Sequence, residues 1–207
     1  MKIGLIDLNT GNMGSLVSAM KKLNVDVKIC KSKEDMVGIK KLILPGVGAF
    51  KDFMKKIKTK NVDKEIKKLS MENVSILGVC LGFQILFDQS MEHGFTQGLS
   101  MVTGKVDSLT TINKKLKIPH VGWNSCKYDK KNPLFDGISD YSDFYFTHSY
   151  CVKEHDKKIR IAITEYDGSN FTSAIASKNI YGVQFHPEKS QFNGLRLLKN
   201  FSELSQC

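Results

Sequence analysis

Arginine is nearly missing from this chain. Arg160 and Arg196 are the only two among 207 residues, although 31 basic residues against 21 acidic ones leave a net charge of +10. That scarcity argues against a nucleic-acid surface, because the planar guanidinium is the side chain best suited to bidentate recognition of phosphate or guanine. The positive charge is almost all lysine and is spread along the chain. Its densest group, Lys51, Lys55, Lys56, Lys58, Lys60, Lys64, Lys67 and Lys68, reads as the solvated face of a helical region. Five cysteines (Cys30, Cys80, Cys126, Cys151 and Cys207) are widely separated, odd in number and without a Cys-x-x-Cys pair. This pattern disfavours a disulfide framework and a zinc site, so reduced thiols and no metal are expected. No run of about 18 apolar residues exists to cross a membrane, and the N-terminus enters an apolar strand without the basic and long hydrophobic regions of a signal peptide. A soluble, cytoplasmic chain is expected. Without a low-complexity linker or an internal repeat, residues 1–207 are expected to form a single domain.

What is present alternates strand and helix. Short apolar runs at Lys2 to Leu8, Val25 to Cys30, Lys41 to Leu44 and Val74 to Val79 read as strands buried on both faces. Gly11 to Leu23, Ala49 to Lys58 and Val62 to Met71 carry apolar residues at helical spacing. The expected fold is therefore α/β, a mostly parallel central sheet with helices on both faces. From Met101 to Val183 the pattern breaks into short runs (Lys105 to Leu109, Asp143 to Thr147, Ile159 to Glu165, Ser173 to Ala176), which predicts an antiparallel extension. Gln191 to Leu204 closes the chain as a helix.

The most informative segment is Gly78-Val79-Cys80-Leu81-Gly82, between the apolar run ending at Leu77 and a predicted helical stretch, Phe83 to Phe87. A cysteine at a sharp strand-to-helix turn is thrust out at the top of the sheet, and flanking glycines let neighbouring backbone come close. The helix N-terminus would favour thiolate, and its unpaired N–H groups could receive an oxyanion. By itself such a cysteine is equally well explained by core packing. The second segment, Gln184-Phe185-His186-Pro187-Glu188, follows the strand-like Asn179 to Val183. Extended backbone around Pro187 predicts that His186 and Glu188 project to the same side. Together these residues suit a Cys–His–Glu relay for acyl transfer through a thioester.

With Pro45-Gly46-Val47-Gly48, Thr147-His148-Ser149-Tyr150 and Lys189-Ser190 added, the chain resembles the class I glutamine amidotransferases from Ile3 to Phe201. Within them it is similar to the glutaminase subunits of imidazole glycerol phosphate synthases, to which Pro119-His120-Val121-Gly122-Trp123-Asn124 also points. The segment Gly98 to Gly104 departs from that group's Gly-Leu-Gly-Leu-Ile-x-Gly pattern. The resemblance implies Cys80 as nucleophile, His186 as acid and base, and Glu188 as its orienting carboxylate. It implies oxyanion-hole amides at Val47 and Leu81, and glutamine contacts from Gly48, Gln84, Thr147, His148 and Ser149. It also implies no cofactor, and a heterodimer with a (β/α)8-barrel cyclase that takes up the ammonia and meets this chain at Trp123, Asn124, Tyr150 and Lys189. The absence of a Gly-x4-Gly-Lys loop agrees with the phosphorylated acceptor being bound by that partner. Low glutaminase activity without the partner, with the oxyanion loop not preformed, is a further expectation. Pro45 to Gly48 also reads as an ordinary strand-to-helix turn, and Trp123 as ordinary core packing. His93, His120 and His155 are read as structural or surface residues. Rival readings are a paralogous subunit feeding ammonia to amidation of a surface-polysaccharide sugar, a non-catalytic regulatory binding subunit and a stand-alone cysteine peptidase.

Overall fold

A computed structural model describes residues 2–8, 13–153 and 155–205. Gly11, the expected start of the first helix, and Cys207 lie outside the described residues. In chain order the elements are β1 (Ile3–Ile6), α1 (Met13–Lys22), β2 (Val27–Cys30), β3 (Lys41–Gly46), α2 (Phe50–Thr59), α3 (Val62–Met71), β4 (Ser75–Cys80), α4 (Leu81–Gln84), β5 (Gln89–Ser90), β6 (Thr96–Gln97), β7 (Lys105–Ser108), β8 (His120–Tyr128), β9 (Ser142–His148), β10 (Tyr150–Lys153), β11 (Arg160–Tyr166), β12 (Ser169–Ser177), β13 (Ile180–Val183) and α5 (Gln191–Glu203).

The strands form a nine-stranded sheet in the order β2-β1-β3-β4-β13-β12-β11-β8-β9 and a separate four-stranded sheet, β10-β7-β5-β6. The first five strands of the large sheet run parallel, and from β12 outward every pairing is antiparallel. The α/β class with an antiparallel extension is thus observed. The smaller sheet was not foreseen, because two of its strands are only two residues long.

Alternation sorts the parallel strands onto two cores. Leu5, Ile43, Leu77 and Val79 pack with Leu16, Met20, Leu197 and Phe201 of α1 and α5, while Leu42, Leu44 and Ile76 pack with Phe53, Ile57, Ile66 and Leu69 of α2 and α3. A strand whose two faces are both buried can be apolar throughout, hence the uninterrupted runs. The lysines of α2 lie opposite its buried face, as the charge pattern predicts. Parallel register then aligns strand ends. Gly46 of β3 stands opposite Cys80 of β4, and Val183 of β13 opposite Val79, so the segments leaving these three strands emerge together beyond their carboxyl ends.

One helix is shorter than the sequence suggests. The stretch Phe83 to Phe87 is not a continuing helix, since α4 ends at Gln84 and Leu86 N–H and Phe87 N–H each bond three residues back, to Phe83 O and Gln84 O. Its phenylalanines and leucine are apolar because they are buried on all sides, not because they form one helical stripe. Among the described residues no helix is long and apolar enough to cross a membrane, and no cluster of three or more His, Cys, Asp or Glu could hold a metal ion.

Candidate active site

Cys80 ends β4 with φ 54° and ψ −111°, a conformation that L-residues avoid and that costs on the order of 1–3 kcal/mol. The turn is held by backbone contact. A Cβ on Gly82 would overlap the carbonyl of Leu44, and one on Gly78 would stand 2.6 Å from Gly82 O. Only bare backbone lets β3, β4 and α4 meet this closely. With α4 one turn long, little helix dipole is available to stabilise charge. The contribution of the elbow is instead the N–H of Leu81, at a helix start where no intrahelical partner exists.

Cys80 as a whole is 7% exposed. Its Sγ–H donates to Thr147 O at 3.9 Å and its sulfur accepts from Gln184 Nε2 at 3.8 Å, both long contacts that leave the atom loosely held. His186 and Cys80 line the same cavity of about 310 Å³. His186 Nδ1 donates to Glu188 Oε1 at 2.8 Å, which fixes the tautomer and leaves Nε2 for the thiol. The route to that pairing differs from the strand alternation predicted. Residues Pro187–Lys189 form one turn of 3-10 helix, and this turn rather than an extended chain brings the carboxylate back to the ring. The loop is pinned to β9, since His186 N–H donates to Tyr145 O and Ser190 Oγ bridges Tyr145 N–H and His186 O.

Two buried histidines face this cavity region with opposite electrostatics. Burial would push the His186 ring down, but negative charge on the neighbouring Cys80 sulfur, and then the hydrogen-bonded Glu188 carboxylate, override it and raise the pKa to about 10. His148 is held down to about 3, chiefly by burial and further by the nearby His120 and His186, against a hydrogen bond to Tyr150 O. His186 can therefore hold a proton beside sulfur, whereas His148 stays neutral.

Around these groups the cavity is lined by Val47, Gly48, Leu81, Gln84, Thr147, His148 and Ser149, so every residue expected at the oxyanion hole or the substrate is brought to one place. Gly48 has φ +97°, which its lack of a Cβ permits. Gln84 Nε2 donates to both Tyr150 O and Gln184 Oε1 at 2.9 Å. Sequence reasoning missed Glu92. It lines the same cavity, and its Oε2 accepts the Phe50 N–H at the start of α2 at 2.7 Å. A single glutamate in a polar turn carries no pattern that could have flagged it.

The residues expected at a partner face separate. Trp123 is 48% exposed on β8, stands edge-on to Tyr145, and Lys189 Nζ lies 5.4 Å from the centre of the Tyr145 ring. Asn124 does not join them. Being one residue on, it turns to the inner side of β8, where its amide donates to Glu165 O and His120 Nε2. Tyr150 sits in the cavity wall. His120, read as structural or surface, is buried and bonded to His148.

The family model "Glutamine amidotransferase class-I" matches residues 4–203. The protein named "Imidazole glycerol phosphate synthase subunit HisH" from Caldanaerobacter subterraneus subsp. tengcongensis is 42% identical, over 99% of each chain. A protein of the same name from Sulfurimonas denitrificans is 41% identical over 97% of each. Among solved structures, that of PurLQS from Thermotoga maritima has a TM-score of 0.75 over 97% of both chains at 15% identity, a likeness of fold.

Proposed function

The chain belongs to the class I glutamine amidotransferases, and from that premise we infer that it is the glutaminase subunit of an imidazole glycerol phosphate synthase. It hydrolyses glutamine to glutamate and ammonia. The observation that carries the reading for these residues is the cavity that Cys80 shares with His186, whose ring is in turn bonded to Glu188. Near-full-length identity of about 40% to synthase subunits supports the pathway.

The proposed sequence begins with Cys80 sulfur attacking the side-chain amide carbon of glutamine, while the N–H groups of Val47 and Leu81 receive the developing oxyanion. Protonated His186 gives its proton to the departing nitrogen as the C–N bond breaks, and ammonia leaves a glutamyl thioester. His186 then takes a proton from water as its oxygen attacks the thioester carbonyl. Collapse releases glutamate and restores the thiol–imidazole pair. The Glu188 carboxylate orients the ring throughout. Enzyme purified with its synthase partner should release one glutamate for each nitrogen incorporated; incorporation without glutamate formation would refute the reading.

Glu92 supplies negative charge where the α-ammonium of glutamine needs a counter-ion. Hydrogen bonds to charged groups contribute about 1.5–3 kcal/mol, so Glu92→Gln should raise the KM for glutamine roughly ten- to a hundredfold with a smaller change in kcat. A glutamine analogue lacking the amino group should be insensitive to the substitution, and equal KM values for variant and parent would remove Glu92 from the site.

For the partner we propose a barrel-type cyclase docked over the mouth of the cavity. Trp123 and Lys189 are exposed and flank the half-buried Tyr145 as an aromatic and basic cluster, and a closed route would keep ammonia from being protonated in bulk water. Trp123→Ala should weaken assembly by about 2 kcal/mol, or roughly thirtyfold in Kd. Titration of labelled chain into partner tests this, and unaltered affinity would place the contact elsewhere.

A further inference from the structure

We propose that His120 and Asn124 are positioning residues for the glutaminase reaction: with His148 they form a directed chain of hydrogen bonds that holds the Tyr150 carbonyl, and through it Gln84, in the orientation that binds glutamine. The inference rests on the glutaminase reading above.

Each link has a fixed direction. Tyr150 O can only accept, so His148 Nδ1 carries hydrogen at 2.8 Å from it. In a neutral ring, Nε2 of His148 must then accept, and its neighbour 3.0 Å away, His120 Nδ1, must donate. That leaves His120 Nε2 as an acceptor, and Asn124 Nδ2 stands 3.3 Å from it. Asn124 cannot reverse, because its Oδ1 accepts the Ser125 N–H and its Nδ2 also donates to Glu165 O. At the other end, the two hydrogens of Gln84 Nε2 go to Tyr150 O and Gln184 Oε1, and Gln184 Nε2 reaches the Cys80 sulfur. With its amide nitrogen committed, Gln84 presents its Oε1 to a ligand. The network is satisfied along its whole length, the condition under which a buried polar chain specifies geometry.

Core packing does not explain the pair. His120 and His148 face each other across β8 and β9 in direct register. The His120 ring lies between Phe146 and Tyr166, with centroids 4.9 and 4.1 Å away and interplanar angles of 23° and 27°. A phenylalanine would fill that slot without desolvating two ring nitrogens. Burial holds both imidazoles neutral at physiological pH, with pKa values of about 4 for His120 and about 3 for His148, which preserves the directions assigned.

Two measurements on the full chain test the proposal. His120→Phe keeps the stack and removes both ring nitrogens; its KM for glutamine should rise about tenfold, the equivalent of one lost hydrogen bond, with kcat within about threefold. His120→Asn, whose Nδ2 replaces the Nδ1 donor, should bring KM back to within about threefold of the parent. A His120→Phe enzyme with lowered melting temperature but a KM within about twofold of the parent would overturn the role. Should that variant fail to fold, 15N spectra of the parent's histidines decide: both rings neutral with hydrogen on Nδ1 support the chain, and hydrogen on His148 Nε2 overturns it. A parent that releases no glutamate would instead refute the glutaminase reading.

Discussion

Cys80→Ala should abolish glutamine-dependent synthesis, by about ten-thousandfold or more, while leaving ammonium-dependent synthesis by the partner near its parental rate. The size follows from removing a group that forms and breaks a covalent bond, since single members of a nucleophile–base unit cost roughly as much as the whole unit. The structure indicates why the loss would be chemical. Alanine inherits the φ of 54° no worse than cysteine does, so the elbow carries the same strain. The sulfur's contacts, 3.8 Å from Gln184 Nε2 and 3.9 Å from Thr147 O, are too long to anchor either loop. The variant should therefore keep the melting temperature of the parent to within a few degrees and still bind glutamine. Its effect on the His186 ring has a defined sign. Removing the sulfur deletes the leading influence that raises the ring's pKa, burial then counts for more, and the ring titrates lower. A fall in the His186 pKa in Cys80→Ala, read by histidine NMR, would tie sulfur and imidazole together independently of turnover. Substantial glutamine-dependent activity in Cys80→Ala would mean that another group attacks the amide, and the assigned triad would be wrong.

The parallel half of the fold was legible because burial on both faces writes β3 and β4 as apolar runs closed by glycine, and α2 and α3 as stripes with lysine outside. β8 was legible only as a motif, and the reason is physical. Over its first half the inward positions, His120, Gly122 and Asn124, are polar or bare, while Val121 and Trp123 point outward at 55% and 48% exposure, and only Cys126 and Tyr128 further along join the core. The usual strand pattern is inverted where the inner face carries hydrogen bonds and the outer face carries an exposed apolar surface, so period-2 reasoning finds no core there. Function-bearing segments break local rules in the same way at Cys80, where a non-glycine residue takes a positive φ. Ser100 does likewise with φ 50°, at the point where Gly98 to Gly104 departs from the glycine of the family pattern. The triad was readable because a nucleophile elbow and a His-x-Glu segment need fixed neighbours. Glu92 and the His120–His148 link were not, because they arise from strands and loops that meet only in three dimensions.

Gly82 of the elbow should be among the positions least tolerant of an added methyl group. Overpacking a core ordinarily costs about 1–3 kcal/mol because side chains yield. At Gly82 the obstacle is backbone, since the new Cβ would overlap Leu44 O and stand 3.2 Å from Pro45 C. Neither can retreat, because Leu44 and Pro45 are held in register against Gly78 and Val79. Gly82→Ala should therefore destabilise the chain by about 4 kcal/mol or more, a melting shift on the order of 10 °C for this size. Any folded fraction should lose glutaminase activity, as relief requires α4 to move from β3 and carries the Leu81 N–H away from Val47. Gly14→Ala supplies the contrast. Among the described residues nothing lies within 4 Å of its Cβ position, at the second residue of α1, so the same chemical change in a first helical turn should be neutral or stabilising by up to about 1 kcal/mol. If Gly82→Ala melted within a few degrees of the parent and turned over glutamine normally, the close approach of α4 to β3 would not be what holds the nucleophile in place.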